Sequence, residues 1–101
     1  MSTRDPFAVL AGMERFAPPL PDSAPTLALV RAHRDALLAA AGAHGASDVR
    51  VAGSVARGEA RRGSDIDFVV RLRPEYTLLD VAGLYAAFER ILRRRIDVVV
   101  E

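Results

Sequence analysis

Three aspartates stand at positions where their carboxylates could act together. Asp65 and Asp67 are separated by one residue in the apolar run DIDFVV, and Asp97 lies in the closing run IDVVV. A strand places residues two apart on the same face, roughly 6 to 7 Å apart along the chain, so Asp65 and Asp67 can converge on one divalent ion or bridge two. Asp97, on a strand of matching polarity, adds a third carboxylate. This is the oxygen-rich set of ligands that Mg²⁺ prefers.

The Asp-x-Asp pair also has a plainer interpretation. Acidic residues are common at the starts of strands, where they are solvated and cap the preceding turn, here the turn of Gly63 and Ser64. Asp97 and the glycine-serine turn farther upstream favour a metal site over this alternative.

The segment GSVARG has the composition of an anion cradle. Gly53 permits a close approach that a β-carbon would block, and the Ser54 hydroxyl with the first amides of a following helix can hold phosphate oxygens. Arg57 could direct its guanidinium at a triphosphate. The alternatives are an ordinary capped turn at Gly53 and Ser54, and a surface ion pair between Arg57 and Glu59.

Composition narrows the class of protein. The chain has 101 residues, 50% of them hydrophobic and 27% charged, which predicts one folded domain. There is no cysteine, so thiolate metal sites and disulfides are excluded. A net charge of +1 gives no general attraction to nucleic acid or membranes, and neither is expected as a partner. No apolar run approaches the roughly 20 residues needed to cross a bilayer, so we expect a cytoplasmic protein.

The first residues form an extension to the core domain. Asp5 and Pro6 are typical of a helix start, and apolar residues follow at helical spacing up to Phe16. The proline-rich segment PPLPDSAP then predicts an extended linker. We therefore predict an appended helix and linker over residues 1–25 and a domain over residues 26–101.

Hydrophobic periodicity predicts three helices and three strands in that domain. A helix capped by Thr26 ends at Gly42 or Gly45. The remaining predicted elements are a strand over residues 48–52, a short helix over 55–61, a strand over 65–72, a helix over 77–93 and a strand over 96–100.

The stretch GSVARGEARRGSDIDFVV resembles the motif of the minimal nucleotidyltransferases (MNT), a branch of the polymerase β-like superfamily, and IDVVV is similar to the strand that carries their third acid. The resemblance implies an α+β fold with a small mixed sheet flanked by helices. It also implies two Mg²⁺ ions and transfer of a nucleoside monophosphate to an acceptor hydroxyl. Gly53 and Ser54 match the phosphate-binding turn, Asp65 and Asp67 the metal-binding pair, and Asp97 the third acid.

Small MNT proteins are similar to the antitoxins of HEPN/MNT toxin-antitoxin pairs, which AMPylate a tyrosine of a HEPN ribonuclease. This resemblance implies ATP as the substrate, a HEPN toxin as the partner and a hetero-oligomer. Two alternatives stay open, namely an antitoxin that acts by binding alone and a transferase for a small molecule. The chain departs from the family at Ala52, where relatives often carry a larger apolar residue.

Overall fold

A single mixed sheet forms the centre of the domain in the computed structural model, which describes residues 23–101. Its strands are β1 (Ala46–Ala52), β2 (Ile66–Leu72) and β3 (Ile96–Val100), in the order β1-β2-β3. Strand β1 is antiparallel to β2, and β3 is parallel to β2. The fold class predicted from the sequence is confirmed.

Four helices complete the described part of the chain: α1 (Leu27–Ala32), α2 (Arg34–Ala43), α3 (Gly53–Arg57) and α4 (Leu78–Leu92). Helix α4 makes the crossover between the parallel strands, as parallel pairing requires. The helix predicted near Phe16 and most of the proline-rich linker lie outside the described residues. No helix within residues 23–101 is both long enough and apolar enough to span a bilayer.

The single helix predicted to begin at Thr26 is in fact two helices, with the break at His33. Thr26 caps α1 as predicted, its hydroxyl accepting the Leu29 amide at 3.1 Å. The His33 ring Nδ1 lies 3.0 Å from the Leu29 carbonyl oxygen, and the His33 amide donates instead to Val30 at 3.0 Å. The ring therefore takes the acceptor that this amide would use in a continuous α-helix. Helix α2 then passes Gly42 and ends at Ala43, and the predicted stop at Gly45 follows the cap residue His44 with a positive φ of 76°.

The boundaries of β1 and α3 also differ from the prediction. Strand β1 begins at Ala46 rather than at residue 48, and its register with β2 shifts between Ser47 and Arg50. This is a bulge in which Asp48 takes a positive φ of 53°, and the bulge breaks the alternation that sequence patterns rely on. Helix α3 begins at Gly53 and ends before Gly58, whose φ of 73° stops it.

The core lies on the face of the sheet that the alternation of β2 predicts. Four alternate residues of that strand are buried, and they share the core with one stripe of α4: Ile66, Phe68, Val70 and Leu72 with Leu84, Tyr85, Phe88 and Leu92. The rings of Phe68 and Phe88 meet edge to face with centroids 4.9 Å apart. Aromatic pairs in this geometry add to the free energy gained by burial. The predicted limits of α4 are correct to within one residue.

Candidate active site

Two of the three predicted acids are neighbours across the sheet. Asp67 of β2 is in register with Asp97 of the parallel strand β3, and on its other side with Ala52 of β1. Neighbouring strands lie about 4.8 Å apart, so the side chains of register partners share one face at close range. Both aspartates are partly buried. The sheet thus presents a row of Ala52, Asp67 and Asp97 on the face opposite the core.

Gly53 brings the backbone against the carboxylate of Asp67. Its φ is 69°, a conformation that side chains rarely adopt. A β-carbon at this position would overlap Asp67 Oδ2 and lie 3.2 Å from Asp67 Cγ. Glycine is therefore required both by the turn from β1 into α3 and by the space that the carboxylate occupies. The departure from the family at Ala52 falls at the register partner of this same aspartate.

Ser54 and Arg57 occupy the two ends of α3. Ser54 is in the first turn, and its carbonyl accepts the Glu59 amide at 2.8 Å. Arg57 is the last residue of α3, and its Nε donates to Glu59 Oε1 at 3.0 Å. Both side chains of this pair are exposed, as in the surface ion pair weighed from the sequence. The roles of Ser54 and Arg57 in nucleotide binding stay predictions.

A groove lies between α3 and the start of α1. Its volume is about 310 Å³, and residues 24–27 line it together with residues 55–58 and Ala60. Arg57 belongs to this lining. The groove therefore includes the part of α3 that follows the predicted phosphate-binding turn.

Asp65 is placed differently from the other two acids. Strand β2 begins at Ile66, whose amide donates to the Arg95 carbonyl at 3.0 Å, so Asp65 lies just before the strand and not within it as predicted. Within residues 23–101, no three Asp, Glu, His or Cys side chains are grouped closely enough to ligate one ion. The structure therefore brings Asp67 and Asp97 together, and the role of Asp65 as a third ligand stays a prediction.

Sequence reasoning missed one residue of the site, Tyr85. Its hydroxyl donates to Asp97 Oδ1 at 2.8 Å and accepts the Val98 amide at 3.2 Å. The helical spacing of apolar residues in α4 accounts for the buried Tyr85 ring but not for its hydroxyl. The signal available was its hydroxyl, because a buried tyrosine normally finds a polar partner.

Comparison with known proteins identifies the family of this site. The model of the nucleotidyltransferase domain family matches residues 30–101. The chain belongs to this family. The nucleotidyltransferase is also similar to a solved structure described, provisionally, as a minimal nucleotidyltransferase. The two share 49% sequence identity with a TM-score of 0.68, over 75% of this chain and 78% of the other. No curated protein matches the chain.

The acids of the nucleotidyltransferase fit a divalent ion. Asp67 and Asp97 offer only oxygen ligands, the kind that Mg²⁺ selects. Because Gly53 has no side chain, the Asp67 carboxylate lies directly against the backbone of the turn that begins α3. Two carboxylates facing each other across neighbouring strands repel unless a cation or hydrogen bonds compensate, and a shared metal would supply that compensation. Membership of the family likewise implies a nucleoside triphosphate as the substrate.

Proposed function

We propose that this chain is an Mg²⁺-dependent protein adenylyltransferase that transfers AMP from ATP to a hydroxyl of a HEPN toxin and so acts as its antitoxin. One observation carries the chemical part of the proposal. It is the register that sets Asp67 beside Asp97, with the backbone of Gly53 against the Asp67 carboxylate. The same face of the sheet then offers metal ligands and a phosphate-binding turn side by side.

In this proposal the aspartates bind the metal ions, and the turn and helix α3 bind the phosphates. Asp67 and Asp97, with Asp65, would hold the divalent ions, which neutralise phosphate charge and lower the pKa of the acceptor hydroxyl. Gly53 admits the triphosphate close to the backbone, and the Ser54 hydroxyl and the α3 amides donate to its oxygens. Arg57 supplies positive charge from the end of α3 once it leaves Glu59.

The transfer itself forms one bond and breaks one. The acceptor oxygen bonds to the α-phosphorus of ATP, and the bond from that phosphorus to the oxygen bridging the α- and β-phosphates breaks. Pyrophosphate leaves with the bridging oxygen, and Asp97 accepts the proton of the acceptor hydroxyl. The products are an AMP ester of the acceptor and pyrophosphate.

The acceptor is the more specific part of the proposal. The resemblance to MNT antitoxins supports a tyrosine on a HEPN ribonuclease, a protein that would bring its own docking surface. The 49% identity to a protein described as a minimal nucleotidyltransferase supports the same branch of the family. We expect the two proteins to form a hetero-oligomer in the cytoplasm.

If the neighbouring gene encodes a HEPN protein, co-expression of the two proteins tests the acceptor and separates catalysis from binding. We expect wild-type chain to restore growth and the HEPN tyrosine to gain the mass of one AMP group in mass spectrometry. Asp67→Asn should lose both effects while still co-purifying with the toxin. Protection by Asp67→Asn without added mass would instead establish an antitoxin that acts by binding alone. Absence of a HEPN protein beside the chain, or of modification on it, would contradict the proposed acceptor.

A further inference from the structure

The hydroxyl of Tyr85 links helix α4 to the carboxylate of Asp97. It donates to Asp97 Oδ1 at 2.8 Å and accepts the backbone N–H of Val98 at 3.2 Å. Because the Val98 amide occupies an acceptor position of the hydroxyl oxygen, the hydroxyl proton is directed at the carboxylate. The three groups form a chain of hydrogen bonds in one direction, in which each bond polarises the next.

The position of this hydroxyl is set by the core. Tyr85 is 8% exposed, and its neighbours in the buried stripe, Leu84 and Phe88, are fully buried. Phe88 packs on Phe68, which follows Asp67 in β2. Close packing leaves a buried aromatic ring little freedom, whereas an aspartate side chain on an edge strand is held only by what it contacts. The Tyr85 hydroxyl is therefore a fixed point that holds the Asp97 carboxylate.

A second residue of α4, Glu89, shows what a side chain that covers an amide of the sheet edge looks like. Glu89, one turn after Tyr85, accepts the amide of Ile96 through Oε2 at 3.4 Å. Strand β3 is an edge of the described sheet, and both side chains cover amides of that edge. Tyr85 differs from Glu89 because the hydroxyl that accepts the Val98 amide also donates a hydrogen bond to Asp97.

We propose that Tyr85 is a positioning residue for the metal-binding carboxylate of Asp97. It fixes Oδ1 and leaves Oδ2 to ligate an ion together with Asp67. This inference rests on the proposed function, since it takes Asp97 to be a metal ligand. Side chains that hydrogen-bond a ligating group orient it, and their removal typically lowers metal affinity by about 10- to 100-fold.

Mn²⁺ binding, measured by electron paramagnetic resonance, tests the inference without relying on activity. We expect Tyr85→Phe to bind Mn²⁺ about tenfold more weakly than wild type. Tyr76→Phe removes the same atom from a tyrosine that is 42% exposed and outside the site, and should bind as wild type does. Glu89→Ala, which uncovers the Ile96 amide and leaves the Tyr85 hydroxyl in place, should also retain its affinity. Wild-type affinity in Tyr85→Phe, or an equal loss in Glu89→Ala, would overturn the inference.

Tyrosine fluorescence provides a second measurement that leaves Tyr85 in place. The chain has no tryptophan and two tyrosines, so in Tyr76→Phe the emission comes from Tyr85 alone. A carboxylate that accepts a hydrogen bond from the phenol hydroxyl quenches this emission. Titration with MgCl₂ should therefore change it in a saturable way, and Asp97→Asn in the same background should abolish the change. Emission that stays constant would contradict the inference.

The outcomes also separate this inference from the function on which it rests. Wild-type protein that binds no Mn²⁺ would contradict both the metal-dependent function and the role of Tyr85. Binding that is lost in Asp67→Asn but intact in Tyr85→Phe would overturn the role of Tyr85 alone.

Discussion

Asp67 and Asp97 stand opposite each other in the register between the parallel strands β2 and β3. The two residues lie on either side of helix α4 in the chain, so the crossover through this helix brings them together. Slippage of β3 by one residue would turn Asp97 toward the core and replace it with an apolar neighbour. The packing of α4 on the sheet is therefore part of the construction of the site.

Gly53→Ala should impair metal binding and transfer as well as stability. The positive φ alone costs about 1 to 2 kcal/mol for alanine. The new methyl would also displace the Asp67 carboxylate. Gly58→Ala is a matched control, since Gly58 has a similar φ of 73° and nothing within 4 Å of its added β-carbon. We expect thermal unfolding to show similar losses in the two variants, and Mn²⁺ affinity to fall in Gly53→Ala alone. Equal Mn²⁺ affinity in the two would show that the cradle at Gly53 is not needed.

Arg57→Ala decides between the two interpretations of this side chain. If its guanidinium binds the triphosphate, the KM for ATP should rise by about 10- to 150-fold while kcat changes little, because one charge-assisted hydrogen bond contributes roughly 1.5 to 3 kcal/mol. Glu59→Ala removes the partner in the ion pair and should leave the KM unchanged or lower it. A KM for ATP that is the same in Arg57→Ala and wild type would leave Arg57 as a surface residue.

Gly83→Ala should loosen the contact between helices α2 and α4. A β-carbon at Gly83 would overlap the ring of His44, and overpacking of this kind costs about 1 to 3 kcal/mol. Gly42→Ala is the control, because Gly42 also lies in a helix but has nothing within 4 Å. It should stabilise the protein by about 0.5 to 1 kcal/mol through helix propensity. In urea unfolding, the free energy of unfolding should therefore be lower than wild type for Gly83→Ala and higher than wild type for Gly42→Ala. Equal stabilisation of the two variants would show that the His44 ring moves aside without cost.

The start of α4 should make stability depend on pH in the acidic range. The pKa of Asp80 is held below its ordinary value of 3.8, chiefly because the Thr77 backbone N–H donates to its carboxylate. Desolvation opposes this shift, and the Arg73 guanidinium reinforces it. Since the pKa is lowered by folding, the stabilisation is present above the unfolded pKa and is lost as pH falls from about 4 through the folded pKa. In urea unfolding at pH 7, the free energy of unfolding should be higher for wild type than for Asp80→Asn. This difference in free energy should be smaller at pH 3. An unchanged difference would contradict the role of the charge.

Local patterns predicted the elements that build the site, but not all the contacts that complete it. The alternation in β2 and the helical spacing in α4 determine which faces are buried, and neighbouring residues alone encode both patterns. Hydrophobic periodicity did not predict the break at His33 or the bulge at Asp48. At His33 a side chain competes for a backbone acceptor, and at Asp48 the strand contains an extra residue, and neither feature changes the spacing of apolar residues in a recognisable way.

The third acid shows the same limit within the site. Sequence alternation indicated that Asp97 and Asp67 share a face, yet the register that makes them neighbours depends on how α4 packs. Tyr85 is an extreme case, because its ring belongs to the core and its hydroxyl to the site. The spacing of apolar residues predicts that the Tyr85 ring is buried, but it does not predict the contact of its hydroxyl.

The most direct test of the account follows the phosphates of ATP. The chain is incubated with MgCl₂, the HEPN protein proposed as its acceptor and ATP labelled at either the α- or the γ-phosphate. We predict that the α-label is transferred to the partner and that the γ-label leaves as pyrophosphate. Asp67→Asn and Asp97→Asn should lose the transfer, whereas Asp35→Asn, which changes an exposed acid of α2, should retain it. Transfer of the γ-label, or undiminished transfer of the α-label by Asp67→Asn, would contradict nucleotidyl transfer at the Asp67 and Asp97 pair.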